Sequence, residues 1–372
     1  MNSDILSAAK DIAYLSACMI NGSAPDAQRV GGMDIAALYK LASAHLLTGI
    51  VGYALEASGL KDQDFSADKA KAIRKVALFG VERKTVLDEL DKAGIWHMKL
   101  KGCVLETLYP KIGMRQMADN DILYDRTRCE DVRHIMESLG FEAVNYVHDD
   151  YNHDQYQKKP VFNFEMHRAL FSPGADGAVF KFYEDIKSRM IPDEDNAFSY
   201  HLSDEDFYVY IIAHEYKHYS GGGTGLRSLL DTYVCLKKLD LDMDYIASET
   251  DRMGLRNFEQ NNRSLALHLF DGLPLSDEDQ AMLEYILCSG TYGTLYHSVR
   301  NEIEKKGRWG YLRSRLTLPY DVMKIRYPVL EKLPVLYPFC WVHRILHGLV
   351  TNRKVVMYQL RTALFGKTSF RK

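Results

Sequence analysis

Through residue 94 the apolar positions recur at intervals of three and four. DILSAAKDIAYLSACM, DIAALYKLASAHLLTGIVGYALEA and KAIRKVALFGVERKTVLDELDKAG all carry this spacing, which predicts amphipathic helices. Gly22, Gly31, Gly32 and Gly59 punctuate them. From Ile95 the rhythm shortens. IWHMKLKG and VFNFEMH alternate as strands do, CVLETLYP opens as a helix after a glycine, TRCEDVRHIMESLG is helical, and QMADNDILYD and FEAVNYV fit between them. SPGADG, residues 172–177, marks a loop, and from about Ser203 the chain returns to Tyr-rich and Leu-rich amphipathic helix. No internal repeat of fixed period is present. The pattern predicts an α+β protein with a helical segment over 1–94, a small α/β core over 95–200, and a helical domain over 201–372 that ends in a basic tail.

Composition narrows the function classes. The 372 residues are 47% hydrophobic and 26% charged, as expected of a folded chain long enough for two or three compact units. A net charge of -3 and a pI near 6.5 exclude a surface wholly devoted to nucleic acid or membrane. Six cysteines without a C-x-x-C pair fit reduced thiols in the cytoplasm. The opening residues lack a basic region ahead of an apolar stretch and carry Asp4 and Asp11, so they read as an amphipathic helix and not a signal peptide. No uncharged apolar run approaches the roughly 20 residues of a membrane span.

The α/β core carries the densest chemistry. Strand alternation in MADNDILYD sends Asp119 and Asp121 to one face and Asn120 to the other. Paired carboxylates repel unless a cation lies between them, and Mg²⁺ is held by one or two carboxylates plus substrate phosphates. The same three residues also suit a turn or a solvated edge. Upstream, MKLKGC runs from a strand through Gly102 into a helix, a turn that offers backbone N–H groups to phosphate, with Lys101 adding charge. Downstream, Glu165 stands among Phe162, Phe164 and Met166, where an unpaired carboxylate is costly.

LKGCVLETLYP, MRQMADNDIL and FEMH together resemble the nucleotidyltransferase superfamily of DNA polymerase beta type, and within it a group of bacterial uncharacterised nucleotidyltransferases. The resemblance covers residues 95–168 and extends more loosely to HEYKH, GLRSLLDTY and the tail. It implies a small mixed-sheet core flanked by helices. It also implies that Gly102 binds the triphosphate, that Asp119 and Asp121 hold Mg²⁺ or Mn²⁺, and that Glu165 is the third carboxylate, which activates the attacking hydroxyl. The implied reaction moves a nucleoside monophosphate from an NTP to a hydroxyl on a sugar, another small molecule, an RNA end or a protein. Cys103 replaces the usual Gly or Ser after Gly102, and Asn120 replaces a hydrophobic residue between the two aspartates. These departures keep a catalytically silent nucleotide-binding or scaffold protein as the alternative.

HEYKHYSGGGT, beginning at His214, fits the H-E-x-x-H-x-x-G opening of zinc proteases. The third ligand of the extended pattern falls on Thr224, which does not serve. His214 and His218 share one helical stripe with Phe207, Tyr210 and Ile211. They read as buried imidazoles bonded to backbone, as nucleotide or acceptor contacts, or as part of a zinc hydrolase site. Arg115, four residues before Asp119, reads equally as a phosphate ligand or as an ordinary arginine after a turn. His167 shares a strand face with Glu165 and either orients it or is structural. Lys99 and Lys101 read as cleft cations or exposed lysines. HDDYNHD, from His148 to Asp154, reads as a solvated loop, and Arg227 and Asp231 are spaced as an i,i+4 helix pair. The last 32 residues hold seven Lys or Arg and no acid. They are expected to pack on an acidic face of the protein itself, with an anionic surface as the alternative.

Overall fold

The computed structural model of the protein describes residues 3–145, 152–172, 177–289, 295–318, 320, 323–324, 327–351 and 353–365. Five helices come first: α1 (Ser3–Ile20), α2 (Ala27–Gly31), α3 (Ile35–Ala44), α4 (Thr48–Ala57) and α5 (Gln63–Lys92). Aspartates cap three of them. Asp26, Asp34 and Asp62 each accept a backbone N–H of the first turn, supplying a partner to donors that the helix leaves open.

The α/β unit follows as β1 (His97–Lys99), α6 (Gly102–Leu108), β2 (Asn120–Tyr124), α7 (Cys129–Ser138), β3 (Glu142–Asn145), β4 (His153–Lys158), β5 (Phe162–His167), α8 (Gly177–Tyr183), β6 (Ile191–Asp193) and β7 (Asn196–His201). The strands form one mixed sheet in the order β3-β4-β5-β2-β1-β7-β6. Its centre pairs β2 in parallel with β5 and antiparallel with β1, and β1 runs parallel to β7. The architecture is α+β, as the periodicity predicts. Two parts of the sheet leave no alternating trace in the sequence. One is β4, which begins at the end of HDDYNHD; His153 and Asp154 lie in the strand, whereas 148–151 are outside the described residues. The other is the β6–β7 hairpin. The interior of SPGADG also lies outside the described residues.

Helices α9 (Asp204–Gly221), α10 (Leu226–Lys238), α11 (Met243–Arg252), α12 (Arg256–Phe270), α13 (Asp277–Ser289) and α14 (Leu295–Leu316) complete the body. Ser203 caps α9 by accepting from the Asp206 N–H at 3.1 Å, which gives one open donor of the first turn a partner. One apolar core joins Ile12, Leu15, Ile50 and Val51 of α1 and α4 to Leu229, Leu230, Leu265 and Leu283 of α10, α12 and α13. The helices before and after the sheet in sequence therefore pack on each other. α5 links the two cores, burying Phe65 in the helical one and Val86 and Leu90 beneath the sheet beside Ile122, Val132 and Met136. Its 30 residues reach about 45 Å at the helical rise. Gly113 (φ +81°) is pressed so close to α5 that an added Cβ would lie 2.7 Å from the Ile73 nitrogen; a glycine is needed there on both counts.

Beyond α14 lie helices Val329–Lys332, Tyr337–Thr351 and Arg353–Phe365. Arg344 donates to the Arg315 and Leu316 carbonyls. Phe339 and Val350 stand 73% and 80% exposed. Among the described residues no helix is long and apolar enough to cross a membrane.

Candidate active site

The register of β2 against β5 sets Asp121 opposite Glu165, and period-2 alternation turns both toward the face covered by α9. Asp119 lies just ahead of β2 on the same face. Asn120 points the other way, where its Oδ1 accepts from Arg83 of α5 at 2.9 Å and from the Cys103 thiol at 3.5 Å; Arg83 also pairs with Glu106. Burial pushes the Cys103 thiol up to about 12, so it is a neutral core group beside Val76, Phe79 and Met117. Both departures from the superfamily pattern thus lie behind the carboxylate face.

Lys101 occupies the centre of that face. Its Nζ donates to Asp121 Oδ1 at 2.6 Å and lies 3.7 Å from Glu165 Oε2. His167 Nε2 approaches the same Asp121 oxygen at 2.8 Å. Burial opposes ionisation of Asp121, but Lys101 and then His167 override it and hold the carboxyl far below its usual range. Asp119 has the opposite fate. Burial first, then the charges of Asp121 and Glu165, push it up to about 7 against the opposing pull of Lys101 and Arg227. Glu165 Oε1 accepts from Gln155 Nε2 at 3.2 Å. Burial would raise its carboxyl, but His167, Lys101 and His153 bring it below its ordinary value.

The turn that supplies Lys101 is strained. Lys101 sits at φ +43°, ψ -117°, a region that side-chain-bearing residues occupy at a cost of about 1–3 kcal/mol and that clusters at functional sites. The unusual backbone falls on the lysine and not on Gly102. Gly102 is needed for packing instead, because a Cβ there would come within 2.7 Å of Arg115 Nη1 and 3.0 Å of the Met117 sulfur. Arg115 is turned toward α10. It is buried, with Nε and Nη2 donating to Asp231 Oδ1 and Oδ2 at 2.8 and 2.9 Å, while Tyr109 donates its hydroxyl to the same carboxylate at 2.8 Å. Asp231 is thus held by Arg115, whereas Arg227 donates to the Gln116 carbonyl. Lys99 ends β1 as an exposed lysine.

α9 covers the face. Tyr210, His214, Lys217 and His218 all feel the charge of Lys101 and of carboxylates on β2 or β5. Burial, then the charges of Lys101 and His218, hold the His214 imidazole well below its ordinary value. His214 and His218 approach each other through Nε2 at 3.2 Å. Sequence reasoning passes over two cations near the carboxylates: Lys75 of α5, which feels the charge of Asp119, and Lys217 of α9, which feels those of Glu165 and Asp121. Single lysines on amphipathic helices carry no local signal that separates a cleft cation from a solvated one.

Glu215 belongs to neither the histidine pair nor the cleft. Its Oε2 accepts from Thr232 at 3.1 Å and Asn262 at 3.0 Å inside the helical core. A zinc hydrolase built on HEYKH needs this carboxylate beside the metal-bound water; here it is turned toward α10 and α12. Burial, outweighing those hydrogen bonds, pushes Glu215 from its ordinary 4.5 up to about 7. Below about pH 4.5 folded and unfolded chains both hold this proton, and between there and about 7 only the folded chain keeps it. Stability from this group is therefore full at low pH and is lost as pH rises through about 7. Glu215→Gln is expected to remove that slope and to raise unfolding free energy at pH 8 by roughly 2–3 kcal/mol. Urea unfolding at pH 4 and pH 8 checks this, and a variant weakened at pH 8 contradicts it.

Residues 31–271 match the sequence model of a family described as uncharacterised nucleotidyltransferase, a span that contains Lys75, Lys101, Asp119, Asp121, Glu165, Lys217 and Arg227. No curated protein and no solved structure matches the chain.

Proposed function

The chain belongs to the family of uncharacterised nucleotidyltransferases, and from that premise we propose that it transfers a nucleoside monophosphate from an NTP to a hydroxyl acceptor at the face shared by β2 and β5. The observation that carries this reading is the meeting of Asp121 and Glu165 across the parallel strand pair, with Asp119 beside them and cations around them. The three carboxylates carry more negative charge than Lys101 balances, and burial together with that surplus pushes Asp119 up to about 7. That surplus fits an Mg²⁺ or Mn²⁺ held by Asp119, Asp121 and Glu165. When bound, such an ion supplies charge neutralisation for the triphosphate and the departing pyrophosphate.

The chain's own groups divide the remaining work. Lys75, Lys217 and Arg227 flank the carboxylates and suit the triphosphate oxygens. Gly102 and Cys103 contribute backbone at the turn beside Lys101, and His214 and His218 stand on the covering helix, within contact range of nucleotide or acceptor in this reading. Arg115 holds the cleft's shape through Asp231. Glu165, ionised at neutral pH, accepts the proton of the acceptor hydroxyl. The acceptor oxygen then bonds to the α-phosphorus as the bond from that phosphorus to the pyrophosphate oxygen breaks. α9 excludes water, which would otherwise compete as acceptor.

Calorimetric titration with Mg²⁺ and each NTP tests the placement. Wild type is expected to bind at least one NTP in a metal-dependent way, and Asp119→Ala/Asp121→Ala to lose the metal dependence. Lys75→Ala/Lys217→Ala should weaken binding by roughly tenfold or more, since each charge-assisted contact is worth more than about 1 kcal/mol. Affinity unchanged in the lysine variant removes the triphosphate from this cleft.

A further inference from the structure

We propose that His153, Glu165 and His167 bind one borderline divalent cation, Zn²⁺ in preference to Mg²⁺. The site shares Glu165 with the nucleotide face but stands on a different donor set. His153 and His167 are register partners on antiparallel β4 and β5, so both imidazoles rise from one face, with ring centroids 4.9 Å apart. Glu165, two residues before His167 on β5, rises from the same face. Among the described residues these are the three metal-capable side chains that converge, with all ligand atoms within 4.8 Å of one another.

The carboxylate offers one oxygen toward each imidazole at close to the spacing an ion of zinc size needs. Donors about 2.1 Å from a tetrahedral ion lie roughly 3.4 Å from each other. His153 Nε2 is 3.7 Å from Glu165 Oε1, and His167 Nε2 is 3.6 Å from Glu165 Oε2. Asp121 Oδ1, 2.8 Å from His167 Nε2, is hydrogen-bonded to that imidazole and orients it from the nucleotide face. Two imidazoles with a carboxylate suit zinc and its first-row neighbours, whereas Mg²⁺ takes oxygen donors and keeps its water. A cation already lies there in protein form. Lys101 Nζ is 2.6 Å from Asp121, 3.5 Å from His167 Nε2 and 3.7 Å from Glu165, so the ion replaces that ammonium as the counter-charge. All three donors stand on the paired strands β4 and β5, which gives the cage strand rigidity. His153 and Glu165 are partly exposed, at 23% and 16% of their side chains, and give the ion its entry from the cleft. The His214–His218 pair gathers no third donor among the described residues.

Co²⁺ reports the site without reference to catalysis, because its visible absorption distinguishes four-coordinate imidazole-bearing ions from the six-coordinate aqueous ion. Titration of the full chain without nucleotide is expected to give one equivalent with a four-coordinate spectrum that Zn²⁺ displaces and Mg²⁺ does not. His153→Gln should weaken binding at least roughly tenfold, Lys101→Met should strengthen it, and His214→Gln should leave it unchanged. Asp119→Asn should also leave it unchanged while losing Mg²⁺-dependent NTP binding, so failure here and failure of the nucleotide reading are separable. A six-coordinate spectrum in wild type overturns the proposal even if His153→Gln does not fold. A folded His153→Gln that binds Co²⁺ as wild type does, or loss of binding in His214→Gln, overturns it as well.

Discussion

Asp121→Asn is expected to abolish metal-dependent nucleotide binding and to lower folding stability by roughly 2–4 kcal/mol. Both effects arise from one oxygen. Asp121 Oδ1 holds the Lys101 ammonium and the His167 imidazole, and Lys101 is itself largely buried, with 16% of its side chain exposed. Asparagine can still accept a hydrogen bond there, but it leaves the ammonium with Glu165 alone, at 3.7 Å. A buried charge that loses its closest partner costs more than the pair contributed, and the strained Lys101 backbone loses the contact that holds it. Asp119→Asn separates the two effects. Its carboxyl is pushed up to about 7 by burial and by its acidic neighbours, so its charge works against folding at pH 8. This variant is expected to be more stable than wild type at pH 8, by about 1–3 kcal/mol, while binding no Mg²⁺–NTP. Thermal unfolding beside calorimetry reads both. Two variants that move stability in the same direction would contradict the assigned roles.

These opposite signs mark the limit of what the sequence makes legible. The D-x-D spacing is readable because charge interrupts an apolar strand, and alternation alone puts Asp119 and Asp121 on one face. The LKG, D-x-D and E-x-H segments together suffice for the family and for the α+β class. Which aspartate is bound by lysine depends on the register of β2 with β5 and on the reversed backbone at Lys101, neither of which has a local signature. α9 conceals its roles for a related reason. Phe207 to Ala213 are buried without interruption, so no polar stripe marks which side of HEYKH meets the cleft, and Glu215 is separated from its neighbours His214 and His218 only by the packing of α10 and α12. β4 is hidden because Gln155 and Gln157 alternate with Asp154, Tyr156 and Lys158, which gives no apolar period. Asp231 lies 116 residues from Arg115, too far for spacing to indicate the partner.

That last contact carries the other large expected effect. Arg115→Leu should destabilise the fold by about 3–5 kcal/mol, because it strips the buried Asp231 carboxylate of both guanidinium hydrogen bonds. Arg115→Leu/Asp231→Leu should recover a large part of that loss, since replacing both members of a buried pair removes the stranded charge along with the attraction. The pair fastens the turn after α6 to α10, and Gly102 packs against the same guanidinium. Loss of the tie therefore loosens the wall behind Lys101 as well as the join between sheet and helices. Nucleotide affinity should fall with stability in Arg115→Leu and in Asp231→Asn alike, and return with it in the double variant. An Arg115 substitution that keeps wild-type stability yet selectively loses NTP affinity would make Arg115 a phosphate ligand after all. Equal losses in Arg115→Leu and Asp231→Asn, measured by urea unfolding and by NTP titration, would fix it as the joint between the two cores.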